Sequence, residues 1–97
     1  MVVPSLAEGS ALVTYEARAC GCVLLVSDAS GAICEHTKDG LVHKAGDVNT
    51  LSEHIKLLAS DFKFLDILRA NSLAGLPDLT WDKAAQVLAQ IYRRCLA

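Results

Sequence analysis

Glu8 and Glu16, with seven residues between them, are the side chains of this sequence best placed to do chemistry. They lie in Pro4-Ser5-Leu6-Ala7-Glu8-Gly9-Ser10-Ala11-Leu12-Val13-Thr14-Tyr15-Glu16. A loop carboxylate at Glu8 is followed by small residues and then by a helical pattern carrying Glu16. A helix opening near Ser10 puts Glu16 roughly 9 Å along its axis, at about 1.5 Å per residue. The first turn of such a helix presents unpaired backbone N–H groups and the positive end of the dipole, which suits a phosphate. Gly9, Ser10 and Ala11 let a ligand approach that backbone closely. Carboxylates on either side of an anion site can take the hydroxyls of a sugar and of a ribose, so the pattern reads as a nucleotide-sugar site. On spacing alone, two solvated acids fit as well.

The elements that would hold these residues can be read along the chain. Residues 1–3 look like the end of a strand closed by Pro4. A helix is expected over residues 10–20, with Leu12, Val13, Ala17, Ala19 and Cys20 as its packed face and Gly21 as its C-terminal cap. Residues 22–26 are a continuous apolar run, the mark of a strand buried on both faces of a parallel sheet. Strand, helix and strand make a βαβ unit. A short helix is expected around residues 32–37, then an Asp39-Gly40 turn and a brief strand, Leu41-Val42-His43. Thr50-x-x-Glu53 reads as a capping box opening a helix with Leu51, Ile55 and Leu58 inward. Another helix follows Asp61, with Phe62, Phe64, Leu65 and Leu68 turned inward, and breaks at residues 75–77. A closing helix over residues 80–97 is capped by Thr80. Its apolar stripe of Trp81, Ala84, Ala85, Leu88, Ile91, Tyr92 and Cys95 makes Trp81 and Tyr92 core anchors. The fold class is α/β: a partial Rossmann-like domain with a short parallel sheet flanked by helices, residues 1–97 forming one partial domain.

Composition narrows the function. The 97 residues are 53% apolar with a formal net charge of −2. A packed core is expected, and the absence of a basic face argues against nucleic-acid binding. No apolar run is long enough to span a bilayer, and Met1-Val2-Val3 lacks a basic flank for a signal peptide. The chain therefore reads as soluble and cytoplasmic. Cys20-Gly21-Cys22, Cys34 and Cys95 do not form a Cys-x-x-Cys pair, and His36, His43 and His54 lack zinc spacing. No metal site is expected. Arg18 and Lys38 read as solvated cations.

Pro4-Ser5-x-x-Glu8-Gly9, Leu12 and Glu16-Ala17-x-Ala19-Cys20-Gly21 together resemble the donor-site motif of retaining family-four (group 1) glycosyltransferases. Those enzymes have the GT-B fold, two Rossmann-like domains across a cleft. The resemblance continues through Val23-Leu24-Leu25-Val26, Ser27-Asp28, Gly31, Glu35, Asp39-Gly40, Leu41-Val42 and Gly46-Asp47 to the helix from Thr80 to Tyr92. It implies a C-terminal part of the donor domain of a hexosyltransferase. Such an enzyme moves a hexose from a UDP-, GDP- or ADP-sugar to an acceptor hydroxyl, with retention and without metal or other cofactor. Glu8 then matches the glutamate that holds donor-sugar hydroxyls and steadies charge, and Glu16 the one that holds the ribose. The amides of Gly9, Ser10, Ala11 and Leu12 would meet the diphosphate and sugar.

The resemblance also implies partners outside these residues: an N-terminal acceptor domain and the first part of the C-terminal domain. Without them the piece is expected to be inactive. Membrane association is open to the full-length protein, peripherally, but is not encoded here. The sequence departs from the family in having Gly9-Ser10-Ala11 for the usual Gly-Phe-Gly. It also has Cys22-Val23 where a proline is frequent, and Glu35 one residue late. Two alternatives remain: a non-catalytic packing or assembly module, and a nucleotide-sugar epimerase of the same architecture.

Overall fold

The computed structural model describes residues 1–9 and 11–96. Its elements are β1 (Val2–Val3), α1 (Val13–Ala19), β2 (Leu24–Ser27), β3 (Gly40–His43), α2 (Val48–Ser60), α3 (Phe62–Ala74), a 3₁₀ turn (Leu76–Leu79) and α4 (Trp81–Leu96). The strands form one parallel sheet in the order β1-β2-β3. This is the expected small parallel sheet flanked by helices.

The apolar run at residues 23–26 is buried because alternate side chains serve opposite faces of the sheet. Val23 and Leu25 join Leu41, Leu58 and Leu68 beneath α2 and α3. Leu24 and Val26 join Ala17 beneath α1. Gly40 starts β3 where the backbone must come close: a Cβ there would stand 2.7 Å from the Leu24 carbonyl oxygen and 2.5 Å from Cys34 Sγ.

α1 is shorter than expected, running from Val13 rather than Ser10. Its end follows the expected cap in full. Gly21 takes φ +84°, its amide donates to the Arg18 carbonyl at 2.9 Å, and the Cys22 amide donates to the Ala17 carbonyl at 2.9 Å. That pair of bonds is a Schellman motif. The expected packed face is wrong except for Ala17. Thr14, Ala17 and Arg18 are buried instead, while Leu12 and Val13 are exposed.

The cause is Arg18, which is not solvated but 2% exposed. Its Nη1 donates to the Ile33 carbonyl at 2.8 Å, and its Nη2 donates to the Ser72 carbonyl at 3.0 Å. Asp39 Oδ2 lies 3.5 Å from Nη2. A buried guanidinium is tolerable only when paired in this way. These bonds orient α1 more strongly than two aliphatic side chains could.

The short helix expected around residues 32–37 is absent. The Ile33 carbonyl is committed to Arg18, and Asp39 Oδ1 accepts from the Glu35 amide at 2.7 Å, closing a turn instead. α2 begins ahead of the expected capping box. Asp47 is its N-cap, accepting from the Thr50 amide at 3.1 Å and from the Thr50 hydroxyl at 2.6 Å. Those two bonds hold the Asp47 carboxyl below its usual range. α3 is capped by Asp61, which accepts from the Phe64 amide at 3.0 Å. Leu68 is fully buried and Leu65 and Phe64 are partly so, but Phe62 and Ile55 are exposed.

Thr80 caps α4 as expected, its hydroxyl accepting from the Lys83 amide at 3.1 Å. Ala97, the last residue of the expected closing helix, lies outside the described residues. The core-anchor expectation fails: Trp81 is 81% exposed, Tyr92 is 61% exposed, and no described residue of α4 is buried. The helix packs chiefly on the preceding 3₁₀ turn. Among the described residues no helix is long and apolar enough to cross a membrane.

The α3 register is directly testable by thermal or urea unfolding. Leu68→Ala should cost about 2–5 kcal/mol of stability. Ile67→Ala, beside it but exposed, should stay within about 0.5 kcal/mol of the parent.

Candidate functional site

The carboxyl ends of β1, β2 and β3 lie along one edge of the sheet, the edge at which open α/β sheets receive ligands. The loop leaving β1 carries Glu8. Ser27, at the end of β2, donates its hydroxyl to the Ser5 carbonyl at 2.5 Å. Ser5 in turn donates its own hydroxyl to Glu8 Oε2 at 2.7 Å. The Pro4-Ser5-x-x-Glu8 spacing thus has a mechanical meaning. The serine backbone is tied to the sheet, and the serine side chain holds the carboxylate. Glu8 is otherwise exposed.

The four amides expected to serve an anion fall in different settings. Gly9 is exposed, and a Cβ there would meet nothing within 4 Å, so the protein's own packing does not demand glycine. Ser10 lies outside the described residues. Ala11 is almost wholly buried at φ +44°. That left-handed backbone costs a residue with a Cβ about 1–2 kcal/mol and is free to glycine. Ala11 therefore bears a methyl group in a turn that glycine would adopt without this cost. The methyl points inward and does not crowd the exposed side of the loop. The Ala11 carbonyl accepts from both the Thr14 amide, at 2.9 Å, and the Thr14 hydroxyl, at 2.8 Å, which starts α1. Leu12 is exposed just ahead of the helix, where helix geometry leaves its amide without an intrahelical acceptor.

Glu16 is exposed in the first turn of α1. Among the described residues its carboxylate makes no hydrogen bond or ion pair. It lines an open cleft of about 660 Å³ between α1, Ile33 and the start of α4, whose far wall includes Trp81, Leu88 and Ile91. Glu8 is not on that cleft. The structure therefore sets both carboxylates in or beside the β1–α1 connection without placing them in one pocket. Glu35 is engaged elsewhere, paired with Lys38 at 3.3 Å on the surface.

Behind the loop, Arg18, Asp39 and Cys34 form a small electrostatic group that the spacing did not reveal. Burial pushes the Cys34 thiol up to about 12, and the Asp39 charge and hydrogen bond add to this while Arg18 opposes it. The thiol stays protonated and inert near neutral pH. The only sequence signal for this group was the position of Arg18 one turn after Thr14, which does not show burial without the topology.

Residues 1–61 match the family described as Glycosyl transferases group 1. An N,N'-diacetylbacillosaminyl-diphospho-undecaprenol alpha-1,3-N-acetylgalactosaminyltransferase of Campylobacter jejuni is 33% identical over 98% of this chain and 26% of its own length. A D-inositol 3-phosphate glycosyltransferase of Jonesia denitrificans is 28% identical over 97% of this chain and 23% of its own. The solved sucrose-phosphate synthase of Thermosynechococcus elongatus superposes with a TM-score of 0.78 and 30% identity, over 98% of this chain and 25% of that one. The chain thus spans about a quarter of the length of the relatives it matches.

A thiol that keeps its proton longer in the folded state contributes stability that is lost as pH rises past the unfolded value of about 9. The melting temperature should accordingly fall between about pH 9 and pH 11, and less steeply in Cys34→Ala. Alkylation followed by mass spectrometry near pH 8 should label the exposed Cys20 and Cys95 at least about tenfold faster than Cys34.

Proposed function

The chain belongs to the group 1 glycosyl transferases, and on that footing we propose that it forms part of the donor site of a glycosyltransferase. In this reading a hexose passes from a nucleoside diphosphate carrier to an acceptor hydroxyl with retention at the anomeric carbon. Glu16 accepts hydrogen bonds from the ribose hydroxyls, and Glu8 accepts them from hydroxyls of the donor sugar. The amides of Gly9, Ala11 and Leu12 serve the diphosphate and sugar, and buried Ala11 holds a left-handed turn among them. As the glycosidic bond breaks, negative charge grows on the diphosphate, and preorganised donors stabilise it without reorganising. The ionised Glu8 steadies the sugar ring as it becomes cationic. The acceptor domain and the rest of the donor domain are partners that this chain does not span.

The observation that carries this reading is Glu16. It is a carboxylate on the first turn of the helix after β1, exposed and without a partner among the described residues. Packing gives it no role, and the same is true of Glu8 beyond its bond from Ser5. A non-catalytic packing module would have no use for either acid.

The test is an amide chemical-shift titration of the chain with UDP-, GDP- and ADP-sugars. Shifts should centre on residues 8–16 with one nucleotide preferred. Glu16→Ala should weaken binding about 10- to 100-fold, as expected when a charged hydrogen-bond acceptor worth roughly 1.5–3 kcal/mol is removed. A folded chain whose residues 8–16 stay silent with every sugar at millimolar concentration would overturn the donor-site reading.

A further inference from the structure

His36, His43 and His54 lie on three separate segments: the loop before β3, the end of β3, and α2. The fold brings them together. The rings of His36 and His54 have centroids 5.7 Å apart, and those of His43 and His54 are 6.4 Å apart. His43 is 4% exposed, and the Nδ1 atoms of His43 and His54 are buried without a hydrogen-bond partner among the described residues. His36 Nδ1 accepts from the Val42 amide at 2.9 Å, which places the ring proton of its neutral form on Nε2. The donor-site reading makes no use of any of these groups.

The chemistry of such a cluster depends on its protons. A doubly protonated His36 ring would point an N–H at the Val42 N–H, so the bond to β3 exists only while the ring is neutral. Charging two rings less than 6 Å apart adds mutual repulsion on top of that loss. We propose that the three imidazoles form an acid-sensitive clasp, which holds the His36 turn and β3 against α2 when neutral and loosens that edge when protonated.

The charges acting on His54 are His36 from the loop, His43 from β3, and Glu53 and Asp47 from α2 and its cap. Burial, then the His36 and His43 rings, push the His54 imidazole below its ordinary range, while Glu53 and Asp47 work the other way. A base depressed on folding contributes stability that is present above its unfolded value, about 6.5, and is lost as pH falls through the folded one. The edge that would loosen also borders a cleft of about 190 Å³ lined by His43, Asp47, Val48, Pro4 and Leu6. Pro4 and Leu6 belong to the loop that carries Glu8.

The test is hydrogen exchange of the β3 and α2 amides at about pH 7.5 and pH 5.5, corrected for the intrinsic pH dependence of exchange, together with the melting temperature at each pH. In the parent, acidification should lower protection of the Val42 amide and its α2 neighbours at least about tenfold more than that of Leu24–Ser27. His54→Gln removes one titrating ring. His36→Asn keeps an acceptor for the Val42 amide without a titrating ring. Each should at least halve the acid-induced loss, and the second variant serves if the first folds poorly. Equal loss of protection across the whole sheet, or a pH response unchanged in both variants, would overturn the clasp.

Discussion

One buried guanidinium sets the arrangement on which the rest depends. Arg18 joins three parts of the chain that are distant in sequence: α1, on which it sits, the loop through Ile33 and Asp39, and α3 through Ser72. α1 is seven residues long, too short to persist on helix propensity alone. Its stability must come from tertiary bonds, and Arg18 supplies the most directional of them. A Cβ on Gly75 would stand 3.0 Å from Arg18 Nη2, so even the residue that ends α3 is shaped around it. The burial of a full charge costs several kcal/mol when it is left unpaired. Two carbonyls and a carboxylate offset that cost here, and the geometry they impose fixes which face of α1 looks outward.

That outward face carries Glu16. The donor-site reading thus rests on two independent mechanical supports. Arg18 orients the helix that presents Glu16, and the Ser27–Ser5–Glu8 relay ties the preceding loop to the end of β2. The relay lies on the ligand-receiving edge of the parallel sheet, whereas Arg18 braces α1 from the opposite edge, where the chain enters β2 and β3. The backbone between them is turned by Ala11 in a conformation usually left to glycine. This conformational cost sits beside the exposed Gly9 and Leu12. β2, buried on both faces, anchors the sheet from which these supports extend.

Much of this was legible in the sequence because it depends on local patterns. The continuous apolar run at residues 22–26 marks a doubly covered strand, found at Leu24–Ser27, Gly21 marks the helix cap, and Asp61 and Thr80 stand where helices begin. The motif from Pro4 to Gly21 pointed to the family that residues 1–61 match. What could not be read depends on distant partners. Arg18 looked solvated because the carbonyls of Ile33 and Ser72 are silent in a sequence. The three histidines showed no spacing because their proximity is produced by the β3–α2 packing. Trp81 and Tyr92 looked like core residues since their spacing is amphipathic, yet a periodic stripe does not say whether anything packs against it. The Thr50-x-x-Glu53 spacing imitates a cap, but Thr50 donates to Asp47 instead. Asp47 sits three residues before Thr50 and is the stronger cap, taking both its amide and its hydroxyl.

Arg18 positions the helix bearing Glu16, and native-state hydrogen exchange on Arg18→Lys is the sharpest probe of that dependence. A lysine keeps the charge but cannot reach the carbonyls of Ile33 and Ser72 together with Asp39. The amides of Gly21 and Cys22, which close α1, should lose protection by about 100-fold or more, while those of β2 lose markedly less. Protection of those two amides within about twofold of the parent would mean that simple apolar packing, not Arg18, orients α1.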